Sequence, residues 1–202
     1  MDPRAERTVE SLLRAAEQLF CKRSFAEVTL EEIATDAGVA VGSVYNHFGS
    51  KAGLHAALVE RALDTDRYFM DLAYVPGRSP VDQLYAAAAE YLAFYVANPE
   101  FFRMLAFPAD PGSYPAGREL ADRLAASVNE QNARMVEAIK LGIDTGVLRE
   151  VDAEATATVL WAAWNGIISL GWRSDGLSRT TDELAQLLRV ATDLVAHGLL
   201  ID

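Results

Sequence analysis

Cysteine is almost missing from this chain. Cys21 stands alone among 202 residues, so no internal disulfide can form and no cysteine-based metal site can be assembled. Histidine is scarce too, and His47, His55 and His197 cannot be grouped by spacing with a nucleophile into a hydrolase triad. No glycine-rich phosphate loop and no run with metal-ligand spacing occurs, so nothing carries an enzymatic reading, and no metal or other cofactor is expected. Charged residues interrupt every apolar run before it reaches the length of a membrane span. The opening Met-Asp-Pro-Arg-Ala-Glu-Arg precedes an amphipathic stretch and carries no apolar signal segment. A membrane partner is therefore not expected, and a cytoplasmic location is. Strand-type alternation, internal repeats and low-complexity runs are lacking as well.

What remains is helical periodicity. With 51% hydrophobic residues the chain can bury a core, and its apolar positions recur at three-four spacing in nine or so segments. Residues 6–22 carry Val9, Leu12, Leu13, Ala16, Leu19 and Phe20 on one side. Thr29 and Glu32 have the spacing of a capping box, ahead of the stripe Leu30, Ile33, Ala34 and Ala37, with Gly38 placed to end that helix. A second short helix is predicted over about 40–47, and Ser50 can cap a third that begins at Lys51 and runs to about Ala73. The segment Pro76-Gly77-Arg78-Ser79-Pro80 breaks the chain before helices over 81–97, 100–107, 116–145, 153–173 and 181–200. Asp152 and the pair Thr180 and Glu183 supply caps for the last two.

Two short helices across a glycine turn have the geometry of a helix-turn-helix, whose second helix enters the major groove. The run Ile33-Ala34-x-x-Ala37-Gly38-Val39-x-x-Gly42-Ser43-x-Tyr45-x-His47-Phe48-x-Ser50-Lys51-x-x-Leu54, with Phe20 and Phe25 before it, closely resembles the signature of the tetracycline-repressor (TetR) family. The resemblance covers roughly the first quarter of the chain and is architectural beyond it. It implies an all-α fold with an N-terminal three-helix DNA-binding domain over 6–66, its motif at about 29–48. A C-terminal helical ligand-binding and dimerisation domain would occupy 67–202. It also implies double-stranded DNA, a homodimeric partner and a small, largely apolar effector that releases a repressor from a pseudo-palindromic operator. Tyr45, His47 and Lys51 match family positions that contact phosphates, and the Thr29 hydroxyl is a further candidate. Ala40, Val41, Gly42, Ser43, Val44 and Asn46 complete the expected DNA-facing set, with Asn46 suited to an adenine edge and the apolar residues to thymine methyls. Val44 also fits plain packing.

The net charge of −11 is unevenly spread. Residues 1–51 hold eight acids and six bases, and residues 52–202 hold 21 acids and 12 bases. The reading head is thus not basic, and phosphate binding would rest on a few placed groups such as Arg4, Arg7 and Lys51. Two positions depart from the family pattern. Ala40 stands where a serine or threonine caps the second helix, a loss of about 1 kcal/mol. Gly53 stands where a stronger helix former is common, a loss of roughly 1 kcal/mol against alanine.

For the second domain, most aromatics fill a core, and some are expected to line a chamber. The candidates are Tyr68, Tyr91, Phe94, Tyr95, Phe102, Met104, Phe107, Met135, Trp161, Trp164 and Ile168, with Asn165 the polar group among them. The apolar faces of residues 155–172 and 184–199 exceed what one small bundle needs, which points to a four-helix dimer interface. The competing reading is a small-molecule carrier or sequestering protein that keeps the helix-turn-helix only as scaffold.

Overall fold

The computed structural model describes residues 3–20, 23, 25–99, 102 and 117–199. Eight helices are bounded among them: α1 Pro3–Phe20, α2 Leu30–Asp36, α3 Val41–Phe48, α4 Lys51–Ala73, α5 Pro80–Ala97, α6 Gly117–Asp144, α7 Ala153–Ser169 and α8 Thr181–Leu199. The helices expected over 51–73, 81–97, 116–145 and 181–200 are met within a residue. The expected 100–107 helix falls largely outside the described residues. The one expected over 153–173 stops sooner: α7 ends at Ser169 and a single 3-10 turn, Leu170–Trp172, replaces its last turn. Crowding at Gly171 accompanies the change, since a Cβ there would stand 2.5 Å from the Tyr95 hydroxyl.

The chain divides into two compact units, one formed by Met1–Asp64 and Arg103–Ala125, the other by Thr65–Phe102 and Ala126–Asp202. The sequence places its division at 66/67; in the structure the division along α4 falls at Asp64 to Thr65, and the first turns of α6, up to Ala125, belong to the first unit. Both α4 and α6 pass from one unit into the other.

In the first unit α1 packs on α2 and α3, and Leu12, Ala16, Val28, Ile33, Val44, Leu54 and Leu58 are fully buried between the elements. The local signals explain the turns. The Thr29 hydroxyl accepts from the Glu32 amide at 3.2 Å, and the Glu32 carboxylate accepts from the Thr29 amide at 2.8 Å, so two orphan donors of α2 are satisfied reciprocally. At the other end the Val39 amide donates to Ala34 and the Gly38 amide to Thr35. That paired closure needs the φ of +70° that Gly38 adopts without a Cβ penalty.

In the second unit α5 and α7 both pack on α8. Its centre is aromatic. Phe102 stands 5.0 Å from Tyr91, 5.4 Å from Tyr95, 5.7 Å from Trp172 and 6.2 Å from Phe94, ring centre to ring centre. α4 runs beside α6 here. Arg67 pairs with Glu130 at 3.7 Å and Asp71 with Arg134 at 2.6 Å. Moving one turn along α4 moves the partner one turn along α6 in the same sense, so the two helices are parallel and their register is fixed.

Candidate nucleic-acid interface and helical core

α3 is too short to be stable alone, and one residue anchors it. Val44 is 0% exposed and closes the core of the first unit, which rules out the base contact considered for it: no part of its side chain reaches the surface. The opposite side of the helix is open. Tyr45 is 56% exposed, and Ala40, Gly42, Asn46 and His47 are exposed beside it, with Val41 and Ser43 half-buried at the margin. The face therefore combines a phenol, an amide, an imidazole, a hydroxyl and small apolar groups. α3 itself carries no acidic residue. Ala40 has the extended backbone of an N-cap (φ −71°, ψ 144°) but no side chain to complete it, as the sequence indicates.

The cationic groups of this unit are largely committed to their own fold. Lys51 donates to the Val28 carbonyl and lies 4.2 Å from the centre of the Phe25 ring, so its ammonium is drawn inward as much as it is offered to solvent. Arg23 pairs with Glu32 at 2.7 Å, and Arg61 with Glu10 at 2.8 Å. The hydrogen bond from Arg23, followed by those from the Thr29 amide and hydroxyl, holds the Glu32 carboxyl down at about 2. Thr29 spends its hydroxyl on that capping box, accepting from the Glu32 amide and donating to its carboxylate at 3.0 Å, and stays exposed. The sequence identifies the positions on this face but not these internal engagements, which depend on rotamers.

His55, from the first turns of α4, is buried edge-on between the rings of Phe20 (5.3 Å) and Phe25 (5.5 Å), and burial lowers its pKa. It packs the hydrophobic centre of the head. Gly53 corrects another expectation. A Cβ there would stand 2.0 Å from the Phe48 carbonyl oxygen, so glycine is what allows α3 and α4 to meet this closely.

The candidate chamber residues separate into three groups. Tyr91, Phe94, Phe102, Met135, Trp164, Asn165 and Ile168 are buried together in the second unit, with Tyr95 and Trp161 half-buried. Tyr68 is 62% exposed and rests its edge on Phe69, so it lines no buried space in this unit: its position on α4 faces away from the apolar stripe. Met104 and Phe107 lie outside the described residues. Asn165, the polar candidate, already has protein partners. The Tyr91 hydroxyl donates to its Oδ1 at 2.9 Å, and its Nδ2 donates to the Trp161 carbonyl at 3.0 Å.

Three polar residues that helical periodicity does not single out are buried here without such partners. Asp66 Oδ1, Ser127 Oγ and both amide atoms of Gln131 have no hydrogen-bond partner. Burial, opposed only in part by Arg67 and Arg134, pushes the Asp66 carboxyl up to about 7. The signal was present as interruptions: Asp66 sits at an inward position of the stripe Leu58, Ala62, Met70, Ala73, and Ser127 and Gln131 sit in the stripe Leu124, Met135, Ala138. An open groove of about 400 Å³ between α6 and α7 is lined by Asn129, Asn132, Lys140, Glu154 and others, and its lysine is already paired with Glu154 at 2.6 Å.

Comparison with known proteins matches both parts of the chain. Residues 12–58 fit the family model described as bacterial regulatory proteins, tetR family, and residues 84–195 fit that described as tetracyclin repressor-like, C-terminal domain. Similar solved structures include a TetR-like transcriptional regulator from a Rhodococcus species, at 23% identity and TM-score 0.76 over 98% of each chain. The regulator PfmR from Thermus thermophilus is 21% identical at TM-score 0.72, over 92% of this chain and 97% of its own. SmeT, the repressor of the Stenotrophomonas maltophilia multidrug efflux pump SmeDEF, is 22% identical at TM-score 0.72, over 96% of this chain and 91% of its own.

Proposed function

The chain belongs to the TetR family of bacterial regulatory proteins, DNA-binding transcriptional regulators rather than enzymes, and on that premise we propose that it is a homodimeric repressor released from a pseudo-palindromic operator by a small organic effector. The observation that carries the reading is the two-sided character of α3: Val44 locks one side into the core while Tyr45, Asn46, His47 and Gly42 stand exposed on the other. Asn46 offers the donor and acceptor pair that suits adenine, and Tyr45 and His47 offer phosphate contacts. With no arginine or lysine on α3, discrimination rests on fit and on duplex shape as much as on hydrogen bonds.

The dimer reading is supported by exposed apolar surface. α7 presents Ala155, Val159, Ala162 and Gly166 at helical spacing, Val159 being 63% exposed; α8 presents Val190, Leu194 and Gly198, Leu194 being 73% exposed. Stripes of this kind on two neighbouring helices are costly in water and pack well against a symmetry mate. Two such chains would carry two reading helices to half-sites about one helical turn of DNA apart. The effector would bind within the aromatic core of the second unit, and its message would travel along α4, a helix common to both units. Effector and DNA affinities must then be reciprocally coupled.

Selection of random duplex DNA by the full-length protein at low salt tests the reading, with Tyr45→Phe and Asn46→Ala as comparison proteins. Recovery of one inverted repeat, weakened in both variants, is the expected outcome. A folded dimer that enriches no motif would remove the repressor reading.

A further inference from the structure

Buried polar groups in a folded protein find partners, and the few that do not call for an explanation. In the second unit three such groups occur at one level of the helix bundle. The Arg67–Glu130 and Asp71–Arg134 pairs fix how α4 runs beside α6. Asp66 precedes Arg67, and Gln131 follows Glu130, with Ser127 one turn earlier on the same inward face. The register therefore sets Asp66 level with the turn between Ser127 and Gln131. All three are more than nine-tenths buried. Each nonetheless has polar atoms without a partner.

The neighbours are already engaged. Arg134 pairs with Asp71 and Arg67 with Glu130, and their charges offset the burial of Asp66 only in part. Tyr91, close enough for its hydroxyl to feel the Asp66 charge, commits that hydroxyl to Asn165. Tyr91 also leads into the aromatic cluster, its ring standing 5.0 Å from Phe102 and 6.2 Å from Trp164. An anionic oxygen, a hydroxyl and an amide amid aromatic rings are complementary to a donor-bearing cation on an apolar body.

We propose that Asp66, Ser127 and Gln131 form the polar end of the effector chamber, and that the effector is an organic amine whose protonated nitrogen sits on Asp66. This rests on the reading of the second unit as an effector domain and names the ligand class for it. The apolar part of the molecule lies against the rings, and Ser127 and Gln131 take its remaining polar atoms.

Phenylbutylamine, phenylbutanol and phenylbutyrate share one apolar body and differ only in the head group. Calorimetric titration of each into the DNA-free full-length protein at pH 8, wild type and Asp66→Asn, reads the preference directly. The wild type is expected to bind the amine at least tenfold tighter than the alcohol and to bind the carboxylate weakest. Asp66→Asn, its fold checked by thermal melting, is expected to bring the amine down to the level of the alcohol while leaving the alcohol unchanged. An alcohol or carboxylate that matches the amine on the wild type overturns the amine class, as does a variant that keeps the preference. Failure of all three to bind overturns the chamber too. The DNA selection is a separate readout, so an operator recovered alongside such failures would leave the regulator standing.

Discussion

Asp66 is an acid where its helix needs an apolar residue, and its stability effect has a definite sign. Its folded pKa of about 7 lies above the ordinary aspartate value of 3.8. The folded state thus holds the proton more tightly than the unfolded chain. The associated stability is fully present below about pH 4 and is lost as pH rises through 7, an effect on the order of 4 kcal/mol at most. Asp66→Asn is expected to raise the melting temperature at pH 8 and to flatten the decline between pH 4 and 7. An unchanged pH profile in urea denaturation would count against this burial cost. Arg67, Arg134 and Tyr91 are the ionisable groups that act on it or feel it, and the first two moderate the shift without cancelling it. Gly53 sets helix propensity against packing. Propensity alone has Gly53→Ala stabilise by roughly 1 kcal/mol. The backbone contact with Phe48 has it destabilise, by about 1–3 kcal/mol of overpacking. Thermal melting of the variant decides by sign alone.

At the scale of the helix, the sequence is most legible where local chemistry sets the boundary. Thr29 with Glu32, Gly38, Ser50, Asp152 and Thr180 with Glu183 all act as the residues suggest: each is a short-range hydrogen bond or a left-handed turn that needs no distant partner. Legibility fails where a distant contact decides. Tyr95 and Leu184 close on Gly171 just past the end of α7, and the orientation of Lys51 depends on Val28 and Phe25. The candidate chamber shows the same division. Periodicity picks out Tyr91, Phe94, Trp164 and Asn165, which are buried together with Asn165 on internal partners, but gives no sign of Asp66, Ser127 and Gln131, which interrupt the stripes. One boundary remains improvable. Ala40 already has cap geometry, so Ala40→Ser is expected to stabilise the protein by about 0.5–1 kcal/mol in chemical denaturation, with m unchanged.

For the molecule as a whole, assembly and charge are the properties that govern binding. Leu194→Glu places an acid on the most exposed large apolar residue of α8. Light scattering is expected to report a monomer at micromolar concentration, with operator affinity reduced at least a hundredfold because two half-sites no longer bind as one. A variant that stays dimeric would move the interface elsewhere. With the head at eight acids against six bases over residues 1–51, few phosphates can be neutralised. The logarithmic dependence of operator affinity on salt is expected to be shallower than about −5. A steeper slope would require cations from outside the head.

The passage of α4 and α6 through both units bears on how such a protein can be dismantled or rebuilt. Two of the three points where the chain leaves one unit for the other, Asp64 to Thr65 and Ala125 to Ala126, lie inside helices. A protease, which needs extended chain, has no substrate at either seam, so limited digestion will not liberate an intact reading head. Recombination meets the same obstacle. A crossover that supplied the second unit with a new head would have to splice helices in phase, because a slip of one residue turns the joined segment by about 100°. On the proposed reading of α3, new operators are therefore more readily acquired by point changes on its open face than by exchange of the head.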